Sequence, residues 1–225
     1  MLHEFTLIRS KRKTIAIHIY DGTVEVRAPM RVPKYEIDKF VASKEKWINK
    51  NLNRSRQQTS NKENFNLDYG DIVYILGEPR IITARESKLP GLDEGRFYIP
   101  TGKTPEQIKK FCVKTYRVIA EQYLASRVNI FADQLSVKPG NIKINGAKTR
   151  WGSCSVNKNI NFSWRLIMAD EDTIDYVVVH ELAHLIEMNH SKKFWSIVES
   201  IIPNYKSCRQ QLKKLQLRLN NENWD

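Results

Sequence analysis

At 225 residues, 41% of them apolar and 28% charged, the chain can bury a substantial core and is too mixed in composition for a disordered or membrane-embedded protein. No run approaches the eighteen or so apolar residues of a membrane span, and the opening MLHEFTLIRSKRK is charged where a signal peptide is apolar, so a cytoplasmic protein is expected. Cys112, Cys154 and Cys208 are far apart and form no CxxC pair, which excludes a disulfide framework or a thiolate zinc cage and fits a reducing compartment. The net charge of +12 is uneven: residues 1–56 carry 13 basic and 6 acidic side chains, and residues 206–218 carry five basic and none acidic. Basic N- and C-terminal segments of this kind suit nucleic acid or another polyanion, and equally a solvated face with no partner.

In chain order, EFTLIRSKRKTIAIHIYDGTVEVRAP reads as two or three short strands, with Asp21-Gly22 as a hairpin turn. A helix follows over residues 34–52, with Ile37, Val41 and Ile48 on its apolar face. The all-polar SRQQTSNKEN, residues 55–64, is the best linker candidate. Strand patterning then returns in DIVYILGEPRIITARE and GRFYIP and closes a mostly β N-terminal part, residues 1–100, that carries one helix. Thr104-Pro105-Glu106 starts a long helix that continues without Gly or Pro to about Leu135. Ile142 and Ile144 open a strand, TRWGSCS forms a loop or bend, and Ile160, Phe162, Trp164 and Leu166 alternate as a strand. After the acidic start at Asp170, Ile174, Val178, Leu182 and Leu185 mark an amphipathic helix, and two more helices separated at Pro203 end the chain.

Three of the five histidines fall in HELAHLIEMNH, residues 180–190. The HExxH spacing puts His180 and His184 on one face of the helix, where two imidazoles reach one metal ion. A catalytic zinc takes three protein ligands and a water, and Asn189, tolerant of the left-handed conformation, is placed to end the helix so that His190 returns as the third ligand. Ser191 then caps the next helix and holds that corner. Glu181 beside the ion would take a proton from the attacking water, which makes the expected chemistry hydrolysis.

The spacing HExxHxxxxxH equals that of the metzincin proteases, but Glu187 stands where their Gly is expected and no Met-turn is recognisable. Through TRWGSCS, INFSWRLI, IDYVVVHELAHL, NHSKKFW and IPNY, with Arg209 and Leu212 beyond, the chain resembles the YgjP-like metallopeptidase family, related to the WLM and SprT proteases. The resemblance is collinear over residues 149–212 and weaker before them. It implies an α+β fold in which residues 101–225 form a zincin-like domain: long helix, small antiparallel sheet, HExxH helix and C-terminal helices. It also implies one zinc ion per chain on His180, His184 and His190, Glu181 as general base, and peptide or unfolded protein as substrate. Arg150, Tyr205 and Arg209 are candidates to stabilise an oxyanion or hold a substrate carbonyl. Trp151 and Trp195 read as packing residues and Cys154 as an inert thiol, and the strand before the HExxH helix offers an edge for an extended peptide. Two alternatives stay open: a metal-dependent nucleotide phosphohydrolase, and a nucleic-acid-associated protein, either a protease of the WLM/SprT type or a module with a structural metal.

Overall fold

Residues 4–225 are described in the computed structural model, and the first three residues of the charged N-terminal run lie outside the described part. The fold is α+β, with the helices and strands divided between two compact units. The first unit comprises residues 4–65 together with Leu219–Asn223 and Asp225. Its sheet has the order β1-β3-β2, from β1 (Thr6–Ser10), β2 (Ala16–Tyr20) and β3 (Thr23–Pro29). The expected hairpin joins β2 to β3 antiparallel, and Asp21 (φ 45°) and Gly22 (φ 73°) are both left-handed, as a two-residue turn requires. On β3, Val24, Val26 and Ala28 alternate inward and pack with Ile37, Val41, Ile48 and Leu52.

The helix expected over residues 34–52 is two helices, α1 (Lys34–Ser43) and α2 (Glu45–Glu63), broken at Lys44 (φ −107°, ψ 9°). Helix α2 covers residues 55–63 and Asn64 caps it, so the expected linker is helical. That stretch is polar but contains no Gly or Pro, and Gln57 Nε2 donates to Asn61 Oδ1 at 2.8 Å one turn on, so nothing in it stops a helix anchored by buried Ile48 and Leu52.

The second unit comprises residues 66–218 and Trp224. Residues 66–100, placed by sequence patterning with the N-terminal part, pack in this unit. They form β4 (Ile72–Ile75), β5 (Glu78–Arg85), β6 (Gly91–Asp93) and β7 (Arg96–Pro100) in the order β4-β5-β7-β6, with β5 and β7 parallel. The expected long helix is α3 (Pro105–Gln134). A reciprocal capping box starts it, with Thr104 N donating to Gln107 Oε1 at 3.1 Å and Gln107 N to Thr104 Oγ1 at 3.4 Å. Ile108, Cys112, Tyr116, Ala120, Leu124 and Val128, one every four residues, form its buried stripe.

A second sheet, in the order β8-β10-β9, is built from β8 (Ile142–Asn145), β9 (Gly152–Cys154) and β10 (Ile160–Ser163). It is mixed rather than antiparallel as expected, and TRWGSCS contributes the edge strand β9 instead of a loop. The chain reverses between β8 and β9 and again before β10, which returns β10 parallel to β8 and places it in the middle. The strand before the HExxH helix, β10, thus has a neighbour on each side and offers no edge; the outer strands are β8 and β9.

The strand expected over residues 160–167 stops at Ser163, and Trp164–Met168 form a 3-10 helix whose five residues are all buried. Alternation there did not signal one wet face. The polar members are turned inward and satisfied: Ser163 Oγ donates to the Ala147 carbonyl at 2.7 Å, and Arg165 Nη1 to that of Gly146 at 2.8 Å. Three helices follow, α4 (Glu171–Ala183), α5 (Lys192–Ile201) and α6 (Tyr205–Leu219). The β4–β5 turn braces the start of α4. At Gly77 (φ 81°) a Cβ would lie 2.8 Å from Asp170 Cα, and Leu76 N donates to the Ile167 carbonyl at 2.7 Å. Arg127 on α3 grips Asp175 on α4 with two parallel bonds of 2.6 Å. No helix among the described residues is long and apolar enough to cross a membrane.

Candidate active site

Helix α4 carries a Val177-Val178-Val179 run that favours strands, and burial overrides that preference: Ile174, Val178, Val179 and Leu182 are each 0% exposed. Asp170 caps the helix by accepting from Thr173 N at 2.8 Å. His180 lies in its last turn and His184 is its C-cap, still in the right-handed helical region (φ −66°, ψ −17°), so the pair keeps its i, i+4 relation.

The helix ends at Ala183, well before the expected stop at Asn189, and Asn189 does not adopt a positive φ. The turn is tightened instead by three-residue bonds, Leu185 N to the Leu182 carbonyl (2.9 Å) and Ile186 N to that of Ala183 (3.0 Å). His190 does precede the expected cap: Ser191 Oγ accepts from Phe194 N at 3.3 Å and starts α5.

The three histidines converge. Each offers one ring nitrogen to a cluster in which all three lie within 4.8 Å of one another, and His180 Nε2 stands 3.1 Å from His190 Nε2. His184 Nδ1 is 3.2 Å from the Glu187 carbonyl. A carbonyl can only accept, so this contact puts the proton on Nδ1 and leaves the Nε2 lone pair free for a metal. Burial, reinforced by the charges of His184, His190 and Arg209, lowers the His180 pKa to about 3, and burial also lowers that of His184. Both rings are thus kept in the neutral form that binds metal. Three ring nitrogens this close to one another could hold one metal ion.

Phe194, 0% exposed, floors this cluster, with its ring 4.9, 4.6 and 4.8 Å from those of His180, His184 and His190. Trp195 stacks on His190 (5.7 Å, 25°) and on Tyr205 (5.3 Å, 20°), and Tyr205 stacks in turn on Tyr176 (6.3 Å). Phe194 and Tyr176 were not among the expected site residues. Their signals were available: Phe194 is the apolar residue three past a Ser cap, and Tyr176 lies one helical turn before His180.

Glu181 is 5% exposed, and burial, partly opposed by the charge of Arg150, raises its pKa to about 7. Its carboxylate packs directly on Gly152 of β9, where a Cβ would lie 2.5 Å from Oε1. The three candidate substrate contacts gather around these groups. Arg150 acts on Glu181, Arg209 lies over the Trp195 ring at 5.1 Å with its charge felt by His180, and Tyr205 belongs to the aromatic stack. Trp195 packs as expected, whereas Trp151 lines a cavity beside Glu181. Cys154 is half-buried, and burial together with the Glu181 charge raises its thiol pKa, which keeps it protonated and unreactive.

The α+β fold and the histidine cluster fit a metal-binding protein. A model of the YgjP-like metallopeptidase domain matches residues 13–215, and the chain belongs to that family of metallopeptidases, whose substrates are peptides or proteins. No curated protein matches it. Two crystal structures of metallopeptidase zymogens are distantly similar. Abylysin of Pyrococcus abyssi is 21% identical over 44% of this chain and 98% of its own, with a TM-score of 0.38. Jannalysin of Methanocaldococcus jannaschii is 22% identical over 43% of this chain and 92% of its own, with a TM-score of 0.33.

Proposed function

We propose that the protein is a zinc-dependent peptidase in which His180, His184 and His190 hold one zinc ion and Glu181 is the general base, with residues 101–225 as the catalytic part. The convergence of three imidazoles beside a buried carboxylate carries this reading. When bound, zinc supplies a Lewis acid that acidifies water and polarises the scissile carbonyl. Glu181 accepts a proton from the attacking water as the water oxygen bonds to the carbonyl carbon. It returns that proton to the amine nitrogen as the C–N bond breaks. Burial raises the Glu181 pKa in the metal-free protein, which strengthens it as a proton acceptor. Arg150, Tyr205 and Arg209 supply the donors that face charge developing on the carbonyl oxygen. Phe194 and Trp195 keep the histidine rings in place. Cys112, Cys154 and Cys208 are all free thiols, which supports a reducing, cytoplasmic setting.

The test is to offer the purified zinc-loaded protein unfolded protein, DNA-bound protein and nucleoside triphosphates in parallel. Cleavage of peptide bonds that disappears in Glu181→Gln is expected. Phosphate release that also depends on Glu181, with no proteolysis, would favour the phosphohydrolase instead.

A further inference from the structure

Beside Glu181 and His180 opens a cavity of about 200 Å³ walled by Trp151, Tyr176, Val177 and Leu212. We propose that this cavity receives a large apolar side chain of the substrate, so that the enzyme cuts next to a residue such as Phe, Leu or Met. The inference rests on the peptidase reading above and adds the substrate class.

Its first support is position. The cavity shares Glu181 and His180 with the candidate site, so a chain whose scissile bond sits there has a neighbouring side chain within reach of the opening. Its second is chemistry. Apart from those two groups and Gly152 the walls are aromatic or aliphatic, and the one charged group lining them is Glu181, which the peptidase reading already engages with water. Tyr176, Val177 and Leu212 are 5%, 4% and 8% exposed, so each is held by its own packing and shows the cavity only a small part of its side chain, which makes this a preformed apolar wall. Its third is size. A dry cavity of about 150 Å³ holds benzene, so about 200 Å³ admits a phenyl ring or a Leu or Met side chain.

The walls come from three places in the fold: Trp151 just before β9, Tyr176 and Val177 on α4, and Leu212 on α6. Leu212 shares one face of α6 with Tyr205 and Arg209, at i, i+4 and i+7, so the helix that supplies two candidate substrate contacts also supplies one wall. Gly152, also at the cavity, adds no side chain to fill it.

Ala-rich peptides carrying a single Phe, Leu, Ala, Lys or Glu on either side of the cut bond, with products mapped by mass spectrometry, test the proposal. Zinc-loaded protein should cleave the Phe and Leu peptides with kcat/KM roughly ten- to a hundredfold above the Ala peptide on one side of the bond, and disfavour Lys and Glu there. Leu212→Trp, which fills the cavity, should collapse the Phe-to-Ala ratio toward one. Trp151→Ala, at a half-buried position that folds more readily, should lower the ratio by removing a wall. Equal rates on Phe and Ala peptides, or a Phe preference unchanged in both folded variants, overturn the cavity assignment while leaving the peptidase reading intact. If no peptide is cut by protein carrying stoichiometric zinc, the peptidase reading fails and this proposal with it.

Discussion

Gly152→Ala probes how tightly the proposed general base is held. The added Cβ would lie 2.5 Å from Glu181 Oε1, 2.7 Å from Cγ and 2.8 Å from Cδ, against an ordinary carbon contact of about 3.5 Å. Either β9 or the carboxylate must give way by roughly 1 Å. Gly152 does not have a positive φ, so Ala meets no backbone strain and the whole effect is steric. Glu181 is 5% exposed and cannot swing freely into solvent, so it moves within the site. Misplacing a reacting group by about 1 Å costs on the order of a hundredfold, and overpacking of this kind costs about 1–3 kcal/mol of stability. We expect kcat on a fluorogenic peptide to fall about a hundredfold with bound zinc unchanged, because the three atoms nearest the new methyl group all belong to Glu181. Glu181→Asp, one methylene shorter, should absorb part of the clash, so Gly152→Ala should destabilise less in that background. A Gly152→Ala enzyme within twofold of wild-type kcat would refute the idea that Gly152 positions this carboxylate.

Glu181→Gln should bind zinc and substrate but lose turnover by a hundred- to ten-thousandfold, checked by metal analysis and kinetics side by side. His190→Ala should weaken zinc binding strongly in a chelator competition, and unchanged occupancy would put the third ligand elsewhere. In the metal-free protein Glu181, raised to about 7 from the usual carboxylate range, costs stability as pH rises through that interval. Glu181→Gln should therefore gain stability over metal-free wild type between pH 5 and pH 8, by about 3 kcal/mol at most, read by denaturant melts. His180, lowered to about 3, acts in the opposite sense: the stability from its burial as a neutral ring is present above about 6.5 and lost as pH falls toward 3, so metal-free protein should unfold in mild acid more readily than a His180→Phe variant.

The elements legible in the sequence were those whose local chemistry and burial agree. Asp21-Gly22 needs left-handed backbone and sits in a hairpin, and Thr104, Pro105 and Glu106 start a helix that buries one residue per turn. Misreadings arose where tertiary contacts reversed the usual meaning of polarity. Residues 55–64 look like a linker because they are polar, but a helix tolerates polar residues when nothing breaks it and Ile48 and Leu52 anchor its earlier turns. The alternation through Trp164 and Leu166 looks like a half-wet strand, but Arg165, 6% exposed, is buried against a carbonyl rather than facing water. Polarity in sequence reports what a side chain needs, and here the protein supplies that need from within.

The histidine cluster was legible for a related reason. An i, i+4 pair is set by helix geometry alone, and a third His before a capping Ser lies on the same side of one short turn, so no distant element had to be placed correctly. This held even though the helix stopped at Ala183 and not near Asn189, because His184 keeps helical dihedrals beyond the last regular turn. What surrounds the cluster could not be read in this way. Gly152 is 29 residues from Glu181 in sequence, and its role is the absence of a side chain, which leaves no pattern on either strand face. Leu212 and Tyr176 meet at one cavity only because α6 packs beside α4, a relation that neither helix's own periodicity encodes. The spacing of the histidines is therefore local, whereas the packing of Glu181 against Gly152 and the walls of the proposed side-chain cavity are tertiary. Substitutions at Trp151 or Leu212 should change which peptides are cut while the histidine cluster and Glu181, held by α4 and the turn after it, continue to decide whether any are.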